Sequence, residues 1–413
     1  MKSTLLSFTT FLVLSSNLAH HSSLAANALP SKDVEALLDY AREHNPTLAV
    51  AKARADALLQ RINQVRSLDD PELMYGYYVQ RMNDRQMLSL SQRFPYPGTL
   101  QLRGEMAART AEQAGFEALS TQRMIEEQIR IAYADLALLD ATKRLLGENA
   151  ALVKRMETVI EARIRSGQGT AAESLRNQIE RERILDEQTT LRAQRTARAA
   201  ALNALLGRTM DAELPLLEDL ADQLPNDKIP PPRSPLLAGY PELMAADQAI
   251  QASQVGIDLA RSEGLPGFSV GIEYMDVAGG RRDEWMVTAG IRLPIWRERY
   301  RASQREARAN ARVAESRRQA LHNLLAAEWQ TAVQEKNDAL RKVTLYRDRL
   351  IPQAQQVVTS EENAYRADRS DLLRVIETRR MLLDLERLFY QAAAQVIRSD
   401  ATLRRIEALP SQP

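Results

Sequence analysis

The sequence predicts a mainly α-helical chain that also carries part of a membrane β-barrel. Three observations predict it: a tandem duplication, four alternating segments of membrane-strand length, and two very long helices with a seven-residue apolar repeat.

The duplication sets the plan. Asn45-Pro46-Thr47-Leu48 opens one helical pattern and Tyr240-Pro241-Glu242-Leu243 opens another, 195 residues later. Pro71 matches Pro266 at the same offset. Arg93-Phe94-Pro95-Tyr96 matches Arg292-Leu293-Pro294-Ile295 at 199, and Arg165-Ser166-Gly167-Gln168 matches Arg366-Ala367-Asp368-Arg369 at 201. So slow a drift marks two copies of one unit of helix, two strands, long helix, turn and return helix. The first repeat, 29–207, is expected to hold a helix over 46–66, strands over 71–81 and 86–96, a long helix over 100–165 and a return helix over 170–207. The second, 240–409, is expected to hold a helix over 241–263, strands over 267–278 and 284–296, a long helix over 298–366 and a return helix over 370–408. Between them the proline-rich stretch 208–239 reads as an irregular strap with one short helix near Leu216 to Leu224.

The strands alternate with a two-residue period. Phe268, Val270, Ile272 and Tyr274 form one face of the third, and Trp285, Val287, Ala289 and Ile291 one face of the fourth. Leu73, Tyr75, Tyr77 and Val79, then Leu88, Leu90 and Phe94, do so in the first copy. Ser89, Ser91, Arg93, Glu273, Thr288 and Arg292 fall on the opposite, polar faces, the expected lumen side of a barrel. Polar turns join each pair at Met82 to Arg85 and Gly279 to Asp283. Met74, Met87, Met275 and Met286 lie scattered over these strands without thioether clustering and read as packing. The competing arrangement is two amphipathic hairpins lying on a soluble core, but the helices offer no separate core for them to cover. Four strands cannot close around anything, and a bilayer tolerates no open sheet edge. Two, three or four chains would supply eight, twelve or sixteen strands, and twelve or more can enclose water.

In the first long helix, Leu138-Leu139, Leu145-Leu146, Leu152-Val153 and Val159-Ile160 recur every seven positions, as do Val375-Ile376, Leu382-Leu383, Phe389-Tyr390 and Val396-Ile397 in the return helix of the second copy. A strict seven-residue repeat specifies left-handed supercoiling, and doubling the apolar position suits a helix with a neighbour on each side. At 1.5 Å per residue the first long helix would reach on the order of 100 Å.

Residues 1–28 read as a secretory signal peptide, with cleavage after Ala25 or Ala28; the rival is an N-terminal anchor, for which Leu5 to Ala19 is short and rich in Ser and Thr. Beyond Lys2 the chain balances 54 basic against 54 acidic residues, which argues against nucleic-acid binding. It has no cysteine, so no lipoprotein anchor and no thiolate metal site, and beyond the leader only His44 and His322 remain of its four histidines. No cofactor, metal set or catalytic constellation is expected, and no enzyme.

In its duplicated layout, in Asn45-Pro46-Thr47-Leu48, in Ser91-Gln92-Arg93-Phe94-Pro95-Tyr96-Pro97-Gly98 and in the turn at Gly167, the chain resembles the TolC-like outer-membrane factors of tripartite efflux pumps and type I secretion systems. The resemblance spans essentially the whole chain after the leader. It implies a homotrimer in outer-membrane lipid, with a twelve-stranded barrel continuous with a helical periplasmic tunnel. It also implies two partners: a periplasmic adaptor and an inner-membrane transporter of RND type. The strand end Arg93 to Gly98 looks most like the heavy-metal branch, which includes cobalt-zinc-cadmium and copper-silver exporters. The turns would form the closed periplasmic tip where an adaptor docks, at Arg163, Arg165, Gly167, Gly169, Arg366, Asp368 and Arg369. Aligned without gaps from Gly167, the family's tip acids fall on Glu173 in the first copy and on Arg374 and Glu377 in the second, so Arg374 departs from the acidic pattern. A type I secretion outlet and a soluble periplasmic coiled-coil scaffold are the alternatives; the scaffold leaves the four strands without a role.

Overall fold

A computed structural model describes residues 33–78, 85–217, 219–224, 239–277 and 284–406. The predicted leader, residues 82–84 and 279–283 of the predicted hairpin turns, strand residues 79–81 and 278, most of the proline-rich stretch and the last residues of the return helix lie outside these. The elements are helices α1 (Val34–His44) and α2 (Pro46–Arg66), strands β1 (Glu72–Tyr78) and β2 (Arg85–Phe94), and helices α3 (Thr99–Arg165) and α4 (Ala171–Leu206). The second copy supplies α5 (Pro241–Ser262), β3 (Gly267–Val277), β4 (Glu284–Arg292), α6 (Arg297–Leu345), α7 (Ile351–Arg366) and α8 (Leu372–Ile406).

Three differences from the sequence reading have physical causes. Helix α1 was not expected: Asp33 caps it by accepting from the Glu35 N–H, and Leu37, Leu38 and Ala41 bury its one apolar stripe. Pro46 then starts a new helix, because the residue before a proline is driven out of the helical region; Asn45 sits at ψ 120°. The second long helix is not uniform: a π turn, Tyr346–Leu350, joins α6 to α7 immediately before Pro352. Proline cannot donate to the carbonyl four residues back, and a π turn takes up an extra residue. The span Arg297–Arg366 is three residues longer than Thr99–Arg165, so the bulge absorbs part of the drift between copies. The fourth strand stops at Arg292 rather than 296, where Pro294 removes a donor. Residues 220–224 make turns, not the expected short helix.

The chain divides into two compact units that cut across the duplication instead of separating its copies. One comprises 1–45, 128–225 and 339–398; the other 46–127, 226–338 and 399–413. In the first unit Leu146, Val153, Ile184 and Leu191 form one core cluster, and Ile160, Tyr365, Leu372 and Val375 another. Within the doubled apolar pairs, Val153, Ile160, Val375 and Phe389 are buried while Leu152, Val159, Ile376 and Tyr390 stay half-exposed. Leu145 and Leu146 are both buried, so the seam is covered unevenly along its length. Residues 208–217 and 219–224 are tied to the helices by polar contacts: Arg195 donates to Asp140 (2.6 Å) and to the Pro215 carbonyl (3.0 Å), and Gln223 donates to the Tyr133 hydroxyl (2.9 Å).

In the second unit the strands make one antiparallel sheet in the order β1-β2-β3-β4. The helical cluster there is Tyr240, Leu243, Leu325 and Ile406.

Candidate functional site

Two regions hold the residues singled out by the sequence: the sheet in one unit and the pair of helix–helix turns in the other.

Directly opposed residues of an antiparallel sheet share a face. The pairings line up Tyr75, Leu88, Tyr274 and Trp285 in one row and Leu73, Leu90, Ile272 and Val287 in the next. Phe94, Phe268 and Ile291 extend the same face. Every one of these apolar residues except half-buried Tyr274 is exposed, Val287 to 75%. Among the described residues nothing covers this apolar face, and exposed apolar patches of this extent mark a protein or membrane contact. The other face carries Ser89 opposite Glu273, Ser91 opposite Gly271 and Gly271 opposite Thr288, then Arg93 opposite Ser269 and Gly267 opposite Arg292. All six residues expected on the lumen side therefore share one face. Arg93 is bonded to Glu72 at 2.7 Å, and Arg292 makes no ion pair among the described residues. Among the described residues β1 and β4 are the outer strands of this sheet.

The turns after α3 and α7 are built alike. Gly167 (φ 76°) and Asp368 (φ 59°) occupy the left-handed region at equivalent places in the two copies. Glycine does this freely and aspartate at small cost. Gly169 is required for space: a Cβ there would lie 2.8 Å from the Ile164 backbone nitrogen. One side chain joins the two turns. Arg163 donates to Asp368 (2.6 Å) and to the carbonyls of Tyr365 (2.9 Å) and Gln168 (3.3 Å), with its guanidinium 4.6 Å from the Tyr365 ring centroid. The bond to Asp368 holds the Arg163 guanidinium above its ordinary pKa despite the opposing effect of burial. Burial, with the nearby Glu173 charge, raises that of Tyr365.

Glu173 is committed to its own helix. Its carboxylate accepts from the Thr170 N–H (2.9 Å) while the Thr170 hydroxyl accepts from the Glu173 N–H, a reciprocal cap on α4. In the second copy Asp371 takes the place of Thr170, accepting from the Arg374 N–H (2.9 Å), and the third position is cationic. Arg374 and Glu377 are exposed on α8; the bond to Glu180 holds the Arg380 guanidinium above its ordinary pKa, with Glu377 a minor contributor. Arg165, Arg366 and Arg369 are exposed and make no ion pair among the described residues.

Sequence reasoning overlooked several pairs beside these turns. Arg380 bonds Glu180, whose residue is 6% exposed; Arg387 bonds Glu187; Arg379 bonds Glu362. The signal was present. Asn177, Glu180, Ile184, Glu187 and Leu191 step by three and four along one stripe of α4, so acids on an apolar stripe called for buried cations.

A sheet with one exposed apolar face and one polar face, in the same chain as very long helices, is the build expected of a protomer that shares a membrane channel with other copies of itself. Comparison with known proteins agrees. The outer membrane efflux protein family model matches residues 233–407. The pyoverdine export outer membrane protein OpmQ of Pseudomonas putida is 24% identical over 416 residues, covering 92% of this chain and 86% of OpmQ. Among solved structures, VceC of Vibrio cholerae superposes with a TM-score of 0.77 at 19% identity, over 91% of this chain and 96% of that one. CusC superposes with a TM-score of 0.79 at 15% identity, over 94% of each chain. The second part of the chain thus matches the outer membrane efflux protein family, and about nine-tenths of the chain has the fold of solved outer-membrane channels. That family and fold are those of passive channels.

Proposed function

We propose that three copies of this chain form the exit duct of a tripartite efflux pump, taking small solutes or heavy-metal cations from a periplasmic adaptor and an RND-type inner-membrane transporter to the exterior. The observation that carries this reading is the sheet: four strands, two open edges and one continuous apolar face. Each unpaired backbone group in hydrocarbon costs several kcal/mol, so the β1 edge must meet the β4 edge of a neighbour. Three copies give twelve strands. The half-exposed members of the heptad pairs are then the surface on which neighbouring helices pack. The duct breaks no bond; the energy comes from the inner-membrane partner. A small-molecule cargo is supported by the relative OpmQ, whose name records pyoverdine export. The heavy-metal alternative rests on the strand end Arg93 to Gly98 and on the modest length of the chain.

The chain has no cysteine, which makes crosslinking clean. Cysteine pairs introduced on the two edge strands, at Leu73 or Tyr75 of β1 and Trp285 or Val287 of β4, should oxidise to a covalent trimer that resists boiling in detergent. Only monomers and intrachain bridges across the whole panel would refute the closure.

The turns are proposed as the periplasmic tip, with Arg163, Arg165, Gly167, Gly169, Arg366, Asp368 and Arg369 at the adaptor contact and Glu173, Arg374 and Glu377 near the aperture. Glu377 is the better candidate for an acidic ring, because the Glu173 carboxylate is already held by its helix cap. Three Glu377 carboxylates brought together would attract cations. Glu377→Ala should weaken block of the channel by divalent cations in a planar bilayer, whereas Glu173→Ala should act mainly on the helix start. Identical conductance and block in Glu377→Ala across salt and pH would remove the aperture role.

A further inference from the structure

We propose that the polar face of the sheet carries a thioether site for a soft monovalent metal ion, Cu(I) or Ag(I), built from Met74, Met87, Met275 and Met286. It rests on the channel reading in one respect, that this face lines a water-filled lumen.

Met74 and Met87 belong to one predicted hairpin and Met275 and Met286 to the other, and only the sheet register brings the four onto one face. Met87 and Met275 stand directly opposite each other across β2 and β3. Met74 is paired with Ser89, two positions from Met87, and Met286 is paired with Glu273, two positions from Met275. The four therefore zigzag across all four strands, each one direct or diagonal step from the next. Direct neighbours on a face have Cβ atoms about 5 Å apart and diagonal neighbours about 7 Å, distances that two flexible methionine side chains can close. Gly76 lies opposite Met87, and a Cβ on it would come 3.3 Å from the Met87 methyl, so the missing side chain leaves room for the thioether.

The face they occupy is the unexpected feature. Packing or lipid contact would place methionine among the leucines and aromatics of the outer face. None of the described strand methionines is there; all four lie among Ser89, Ser91, Glu273 and Thr288. Met74 and Met286 are half exposed to solvent there. Two carboxylates complete the setting: Glu284 opposite Met275, and Glu273 opposite Met286. Neutral sulfur ligands select Cu(I) and similarly soft ions over Zn(II), Co(II) or Mg(II), which favour nitrogen and oxygen. Neighbouring carboxylates offset the positive charge that thioethers leave uncompensated. Within the pump reading, this narrows a metal cargo to the soft monovalent ions.

The test uses the full-length chain, purified as its assembled form in detergent. Ag(I) is titrated by calorimetry, and Cu(I) under reducing conditions is competed against a chromophoric chelator. About one ion per protomer is expected, with affinity at least tenfold weaker in M87L/M275L and lost in the quadruple variant M74L/M87L/M275L/M286L. Leucine nearly matches methionine in volume, so these variants should assemble normally. M106L/M381L, which alters helical methionines, should bind like the parent, and Zn(II) should give no saturable heat dependent on the four residues. A parent that binds no Ag(I), or a quadruple variant that binds it as the parent does, overturns the site. Planar-bilayer conductance of the same preparations keeps the two ideas apart: conduction without Ag(I) binding sinks the metal site alone, and absence of conduction in the parent sinks the channel reading.

Discussion

Arg405→Ala is expected to destabilise the unit that contains the sheet by about 3 kcal/mol, because it strips one cation from three carboxylates. Arg405 lies near the end of α8 and is 9% exposed, yet it reaches Glu127 on α3 (2.7 Å), Glu242 on α5 (3.0 Å) and Glu328 on α6 (2.5 Å). Burial alone would disfavour its charge; the bond to Glu328 and the charges of Glu127 and Glu242 prevail and hold its pKa above the ordinary guanidinium value. The Ser120 hydroxyl donates to Glu242 (3.2 Å), so the cluster is also linked along α3. One guanidinium thus ties four helices, which a planar group with five donors can do and a lysine cannot. Removing it leaves carboxylates of 13%, 25% and 40% exposure facing one another. Partial access of water to Glu328 keeps the cost at the low end of the range for broken buried pairs. The measurement is the urea midpoint of the detergent-solubilised protein, followed by circular dichroism. Arg405→Lys should recover part of the loss. Arg301→Ala, which removes a pair in which both partners are about 70% exposed, should leave the midpoint in place. If Arg405→Ala melted with the parent, the cluster would be surface decoration.

The sequence shows most clearly what repeats. Period-two alternation marks the segments of all four strands, and the seven-residue spacing marks the first long helix and the return helix of the second copy, because each pattern is imposed by the geometry of burial along many residues. It was silent where a single local event decides. The break at Asn45-Pro46 reads as the start of a helix, and only the cap at Asp33 shows that a shorter helix precedes it. The π turn at Tyr346–Leu350 has no composition of its own; its trace is the drift in offset between copies together with Pro352. The same limit applies to sites. Gly167 and Asp368 could be matched by spacing, and both do adopt positive φ. Arg163, the residue that joins the two turns, could be named only as one of several nearby arginines, since its partners Tyr365 and Asp368 lie some two hundred positions away. Ion pairs between Glu180 and Arg380 and between Glu187 and Arg387 repeat one heptad apart, a regularity visible only once α4 and α8 are known to be neighbours. Sheet register is the extreme case: no spacing within a strand reports what stands opposite it.

Adjacent substitutions on β4 should have opposite consequences. Val287 is 75% exposed in the row Leu73, Leu90, Ile272 and Val287, whereas Thr288 belongs to the row of Ser91 and Gly271 on the other face. Arginine on the lipid face of a membrane barrel costs about 2–4 kcal/mol near the bilayer midplane, and a threefold assembly incurs that cost three times. Val287→Arg should therefore abolish heat-resistant trimer in the outer-membrane fraction and leave misassembled chain in the periplasm or in degradation products. Thr288→Arg adds the same charge one residue later but places it on the polar face, the proposed lumen side, opposite Gly271, which has no side chain of its own. It should assemble to parental levels and change only conduction, shifting ion preference toward anions. No simple hydropathy or helix-based account separates these two variants; only the alternation of the pleat does. Equal assembly of both would mean that the sheet does not face lipid on the side of Val287, and equal failure of both would mean that β4 tolerates no charge on either face and lines no aqueous lumen.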